Sequence, residues 1–217
     1  MRRFELIVFD WDGTLMDSAG AIVGALQAAA RDLGLTPPSE QRARHIIGLG
    51  LSEALALALP DLPPAQYMAL AERYRYHYLV GDSELEMFAG VTALVQGLSH
   101  SGYRLAVATG KTSKGLQRAL AASGLGPLFD ATRCADQCHS KPHPQMLLEL
   151  MAELDVAAEQ TLMNGDTTHD LMMASNAGVA SLAVSYGAHP RAELLAASPL
   201  YCADSVAQMQ DWLEAQA

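Results

Sequence analysis

Two kinds of hydrophobic pattern share this chain. Near the start, Phe4-Glu5-Leu6-Ile7-Val8-Phe9 is a short apolar run, rich in β-formers, with the length of a buried strand. A helical pattern follows, with Ile22, Leu26, Ala29, Ala30 and Leu33 on one face. Ser18 stands at its N-cap position and Gly34 at its C′ position. Pro37-Pro38 breaks the chain, Ser39 is placed to cap a short helix towards Ile47, and Gly48-Leu49-Gly50 reads as a loop. Ser52 opens a helix that Pro60 ends. After Pro63-Pro64 a longer helix runs through Met68, Leu70, Tyr74 and Tyr78 and stops before Gly81-Asp82-Ser83. Residues 16–85 therefore read as helices without a strand.

From Gly90 onward helices and strands alternate. A helix from Val91 to Ser101 leads into the strand Tyr103–Ala108, which ends in Thr109-Gly110-Lys111. A helix from Thr112 to Ser123, a short strand near Phe129 to Thr132 and a helix from Pro144 to Leu154 come next. The strand Thr161–Asn164 enters Gly165-Asp166-Thr167-Thr168-His169-Asp170 and a helix closed by Gly178. The strand Ser181–Ser185, a weak strand near Leu200 and a helix carrying Val206, Met209, Trp212 and Leu213 complete the chain. Such alternation implies a parallel sheet with helices on both faces. The reading is an α/β fold: a doubly wound parallel-sheet core, Rossmann-like, over residues 1–15 and 86–217, with an all-helical domain inserted at 16–85.

Composition narrows the partners. At 217 residues, half of them hydrophobic, the chain can bury one large core with a smaller insert. A net charge of −10 argues against nucleic acid, because phosphate backbones select basic surfaces. No apolar run reaches membrane-spanning length, and the short apolar stretch after Arg2 and Arg3 ends in Asp10, unlike a signal peptide. A cytoplasmic monomer or homodimer is expected. Cys134, Cys138 and Cys202 are an odd set for a disulfide framework. Cys134, Cys138, His139 and His143 lack the second tight pair of zinc patterns and read as loop or surface groups.

The chemistry gathers at strand ends. Asp10 and Asp12 follow the first strand, and Gly13 permits the turn that curls Asp12 back over the same opening. Thr109 ends the second strand, Lys141 precedes the Pro144 helix, and Asp166 and Asp170 follow the fourth. An Asp-x-Asp turn alone is ordinary, and Asp166 or Asp170 alone would serve as a helix cap. In a parallel sheet, however, all these ends share one edge, where such folds bind ligands. A carboxylate that meets a phosphate dianion is repelled by roughly 1 kcal/mol at 4 Å in water and about 4 kcal/mol at an effective dielectric of 20. A cation must offset that. Asp10 and Asp166 are hard ligands suited to Mg²⁺, and Lys141, one of three lysines, supplies a second positive charge. Thr109 offers a hydroxyl, and the Gly110 and Lys111 amides can donate to phosphoryl oxygens.

Four segments then carry a resemblance that spans essentially the whole chain. Asp10-Trp11-Asp12-Gly13-Thr14-Leu15, Ala108-Thr109-Gly110-Lys111, Ser140-Lys141-Pro142-His143-Pro144 and Gly165-Asp166-Thr167-Thr168-His169-Asp170 resemble, in this order, the four motifs of haloacid dehalogenase-like hydrolases. The helical insert is similar to the cap domain of the phosphoglycolate phosphatase-like subgroup, and Ile47-Gly48-Leu49-Gly50-Leu51 to its segment facing the active site. The resemblance implies a Mg²⁺-dependent phosphatase acting on a small phosphorylated metabolite. Asp10 would attack phosphorus to form an aspartyl-phosphate, and Asp12 would act as general acid and then base. The metal would be held by Asp10, Asp166 and the Asp12 carbonyl, with Asp170 supporting the metal shell or orienting Lys141. Thr109 and Lys141 would hold the phosphoryl group. Trp11 would be a packing residue.

The same residues sort the alternatives. An acid at Asp12 favours phosphoryl transfer over dehalogenation, and residues 16–85 hold no lysine for a Schiff base. A sugar phosphomutase would use Asp10 and Asp12 in the same way, and inorganic pyrophosphate would fit the same residues nearly as well as a small phosphate monoester. A binding protein that keeps the fold without turnover is the alternative from another class. For a phosphoglycolate-like leaving group, Arg44 and His45 are the expected contacts, with Arg42, Arg73 and Arg75 also in the insert.

Overall fold

The computed structural model describes residues 3–81 and 85–216. Six parallel strands form one sheet in the order β3-β2-β1-β4-β5-β6. They are β1 (Leu6–Phe9), β2 (Arg104–Thr109), β3 (Ala131–Cys134), β4 (Thr161–Gly165), β5 (Ala180–Val184) and β6 (Tyr201–Ala203). The strand order reverses at β1, which pairs with β2 on one side and β4 on the other. That reversal opens a crevice at the carboxyl ends of β1 and β4, the place where doubly wound sheets bind ligands.

Strand alternation divides the core into two faces. Ile7, Phe9, Leu105 and Val107 pack on one side with α5 (Val91–His100) and α10 (Val206–Glu214). Leu6, Val8, Ala106 and Ala108 pack on the other with α7 (Gln145–Leu154) and α8 (Thr168–Asn176). Both faces of β1 are covered, so the strand reads as an unbroken apolar run. Trp11 belongs to the first face, fully buried, its ring 6.3 Å from that of Phe129.

The insert is a four-helix cap: α1 (Ala19–Asp32), α2 (Glu40–His45), α3 (Leu51–Ala58) and α4 (Tyr67–Gly81). Ile22, Leu26, Leu55 and Leu70 help to form a hydrophobic cluster of its own. Asp82 and Ser83, where the sequence pattern ends the last cap helix, lie outside the described residues. The two chains joining cap and core run side by side. The Phe88 amide donates to the Leu15 carbonyl at 3.0 Å and the Asp17 amide to the Glu86 carbonyl at 3.0 Å.

Several local readings move. Strand β3 lies two residues later than the hydrophobic run indicates, because Ala106 of β2 sets its register against Ala131. Gly50, not Ser52, stands at the N-cap of α3. The other α-helices among the described residues are α6 (Ser113–Ser123), capped by the Thr112 side chain, and α9 (Arg191–Ala196), which the hydrophobic pattern does not reveal. Six residues are too few for a helical period to register. No helix of the described residues is long and apolar enough to cross a membrane.

Candidate active site

Asp10 follows β1 directly, and its amide donates to the Asn164 carbonyl on β4 at 2.9 Å. Because Phe9 sits opposite Asn164, the ends of these two strands are level, and Asp10 and Asp166 emerge side by side. Asp10, Asp166 and Asp170 are fully buried, and their ligand oxygens lie within 4.8 Å of one another. Lys141 reaches into the same group from the loop before α7. Its Nζ is 2.9 Å from Asp10 Oδ1 and donates to Asp170 Oδ1 at 2.6 Å. Burial opposes its charge, but Asp10 and Asp170 outweigh that and hold the ammonium above its ordinary range.

Each acid has its own support. Thr14 Oγ1 donates to Asp166 Oδ1 at 2.9 Å, and the Ala188 amide donates to Oδ2 at 2.7 Å. Asp170 Oδ2 accepts from Thr167 Oγ1 at 2.6 Å in a capping box that starts α8. One residue thus starts a helix and orients Lys141. Asp10 Oδ2 has no hydrogen-bond partner among the described residues. Burial pushes the Asp10 carboxyl up to about 7, with Lys141 opposing the rise and Asp170 and Asp12 adding to it. Burial also raises Asp166 well above the carboxylate range, and Asp10 and Asp170 add to that.

Asp12 faces elsewhere. Its Oδ1 accepts from Ser18 Oγ at 2.6 Å and lies 3.0 Å from Lys111 Nζ. Ser18, at the head of α1, makes no capping hydrogen bond and is committed to Asp12 instead. Lys111 Nζ also donates to Tyr78 Oη of the cap at 2.8 Å. The Lys111 amide donates to Thr109 Oγ1 at 3.2 Å, so this amide already has an acceptor inside the loop.

The turn after Asp10 has little freedom. Gly13 has φ +79°, and a Cβ there would overlap the Asp166 carboxylate. Gly13→Ala is expected to lower stability by about 1–3 kcal/mol through left-handed strain and displacement of Asp166. Urea titration checks this. An unchanged midpoint would mean that the turn tolerates a side chain.

The cap rests on this site. A Cβ built on Gly48 would lie 3.8 Å from Asp10 Oδ2, and one on Gly110 would meet the Gly48 and Leu49 carbonyls at 2.6 Å. Cap and core backbones therefore touch, and Gly110 is the residue that lets them. His169 Nε2 donates to the His45 carbonyl at 2.8 Å, and His189 Nε2 lies 3.2 Å from the same oxygen. The His45 ring stacks on His189 at 4.8 Å. His189 Nδ1 accepts from the Thr168 amide at 3.1 Å, which leaves Nε2 protonated to donate to His45. His45, His189 and Glu193 are close enough to share an ion, but both nitrogens of His189 are engaged.

A cavity of about 350 Å³ lies between cap and core beside Asp12. Asp12, Gly48, Gly110, Lys111 and Arg75 are among its lining residues, and Arg44 and His45 are not. Arg44 pairs with Glu40 at 3.0 Å on the outer face of α2. Arg44 and His45, the leaving-group contacts expected from the sequence reading, are therefore not among the residues that line this cavity. Thr14, Ser18, Tyr78 and the Ala188 amide escaped that reading. Ser18 and Thr14 carried a signal in their nearness to the Asp-x-Asp turn; Tyr78 and Ala188 carried none.

The comparisons agree with this architecture. A family model described as haloacid dehalogenase-like hydrolase matches residues 7–184. The chain is 38% identical over 210 residues to a probable phosphatase, IndB, of Dickeya dadantii, covering 94% of this chain and 91% of that protein. It is 31% identical to a phosphoglycolate phosphatase of Vibrio cholerae, covering 95% of each. Among solved structures, a predicted phosphoglycolate phosphatase from Haemophilus somnus superposes over the whole of both chains with a TM-score of 0.86 at 26% identity.

Proposed function

This chain belongs to the haloacid dehalogenase-like hydrolase family, and from that premise we propose that it is a phosphatase that hydrolyses a small phosphate monoester through a phosphoaspartyl intermediate on Asp10. The observation that carries this reading is the contrast between two neighbouring acids. Asp10 is sealed in the crevice with one oxygen unpartnered, and Asp12 is held apart by Ser18 and Lys111. Carboxylates in different environments suit different roles.

In this mechanism Asp10 Oδ2 attacks phosphorus, and the bond from phosphorus to the ester oxygen breaks. Asp12, protonated, gives its proton to that leaving oxygen. In the second half Asp12 takes a proton from water, the water oxygen attacks phosphorus, and the Asp10 carboxylate leaves with its charge restored. Lys141 and Thr109 hold phosphoryl oxygens, with the Gly110 amide beside them. Asp170 acts as a positioning residue for Lys141, and Lys111 for Asp12. Residues 1–15 and 86–217 form the catalytic core and 16–85 the cap, which moves as a unit to admit substrate. Phosphoglycolate, named for the Vibrio cholerae relative, is the reference substrate for assay.

The residues present fit a divalent cation. Three buried carboxylates share one buried ammonium, Lys141, which leaves an excess of negative charge and an unpartnered carboxylate oxygen. Asp10 and Asp166 would hold Mg²⁺, with Asp170 and the Asp12 carbonyl in support. When bound, the ion supplies the positive charge that lets a dianionic phosphate approach Asp10.

Removal of metal with EDTA is expected to abolish phosphate release, and added Mg²⁺ to restore it. Mg²⁺ should also raise the Tm of the wild type and leave Asp166→Asn nearly unmoved, a readout independent of turnover. Full activity in EDTA would overturn the metal assignment. Metal-dependent phosphate release itself, measured across small phosphate monoesters, tests the phosphatase reading.

A further inference from the structure

We propose that the leaving group is an alcohol with an apolar, ring-sized body, larger than glycolate, seated in the cavity between cap and core; this rests on the phosphatase reading above.

Three observations carry it. First, the cavity begins at the right atom. Asp12, the residue placed to protonate the leaving oxygen, lines it, and Asp10 does not. The space therefore extends from the leaving-group side of the phosphorus and not from the side of attack. Second, its cap wall is largely apolar. Ile22, Leu26, Ile46, Leu51 and Leu55 of the cap line it, with Tyr74 and Tyr78, whose rings stack at 5.9 Å. Such a surface gains by covering carbon, and the half-buried cation beside it, Lys111, is already engaged by Asp12 and Tyr78. Third, its size is about 350 Å³, inside the range of about 300–1,000 Å³ of small-molecule sites. Glycolate would leave most of that apolar wall facing water.

The cations of this cavity stand at its polar side. Lys111 is held between Asp12 and Tyr78, and Arg75, Lys114 and Arg118 line the mouth as exposed residues. In a chain of net charge −10 they form a local positive field that draws a phosphate dianion to the opening. They serve the phosphate that every substrate carries, and the apolar interior discriminates among the alcohols.

The test compares kcat/KM for benzyl phosphate and phosphoglycolate with Mg²⁺, in the wild type and in Ala54→Phe, which fills the cavity from α3. Leu51→Phe, from a half-buried position on the same wall, gives a second filled variant. Benzyl phosphate is expected to be favoured by about tenfold or more, and the filled variants to reduce that ratio by about tenfold. A ratio of two substrates does not depend on how much of a variant is folded. Equal or greater kcat/KM for phosphoglycolate overturns the proposal and leaves the phosphatase reading intact. A ratio unchanged in both filled variants also overturns it. Release from neither substrate by the wild type overturns the phosphatase reading and the proposal with it.

Discussion

Asp10→Asn is expected to lower phosphate release by about 10⁴-fold or more, the scale on which loss of a nucleophile acts. The same variant should fold as well as the wild type or better. The folded carboxyl is raised to about 7 by burial, against an ordinary value of 3.8. The sign follows: an acid whose pKa is raised on folding loses stability as pH rises from the lower value to the higher. At neutral pH the ionised Asp10 therefore costs the metal-free protein stability, and a neutral amide removes that cost. Phosphate release and thermal unfolding on the same preparation check both halves. Residual activity within tenfold of wild type would remove Asp10 as the nucleophile. A Tm many degrees lower would mean that the carboxylate is structural.

Lys141→Met is expected to be the most destabilising single change in the site, at about 3–5 kcal/mol. The Lys141, Asp10 and Asp170 side chains are all fully buried, with the ammonium 2.9 Å from one carboxylate and 2.6 Å from the other. Removing it strands two buried negative charges. The double variant with Asp10→Asn leaves only Asp170, whose other oxygen keeps its Thr167 partner, so the two changes should be strongly non-additive. Urea unfolding of the two single variants and the double variant measures this coupling. Additive effects would mean that Lys141 acts through packing and not charge.

Much of the fold was legible because its signals are local. Phe4 to Phe9 announces a covered strand by its unbroken apolar run, and Ile22, Leu26 and Ala30 announce a helix by their spacing. The helical stretch between two β-containing parts marked the insert in the same way. Asp10, Lys141 and Asp166 stood out because charged residues at the ends of parallel strands have one edge to share. Beyond that, local signals failed at particular places. Ser18 has the sequence of a helix cap and the contacts of an Asp12 ligand. Arg44, four residues before Gly48 in the row of cap cations, turns outward to Glu40 because its helix presents that face to solvent.

The sequence by itself determined the order of the elements, the doubly wound core with its helical insert, and which acids and lysine meet at the carboxyl edge. Tertiary structure alone decided how the four acids divide. It set Asp10 beside Lys141, fastened Asp166 to Thr14 and the Ala188 amide, and drew Asp12 away to Ser18 and Lys111. It also decided which face of the cap looks into the cavity, through Tyr78 on Lys111 and two histidines on the His45 carbonyl. The physical reason is range. Periodicity and turn chemistry act over a few residues, whereas a hydrogen bond between residues 152 positions apart, such as Thr14 to Asp166, exists only once packing has fixed both side chains to within fractions of an ångström.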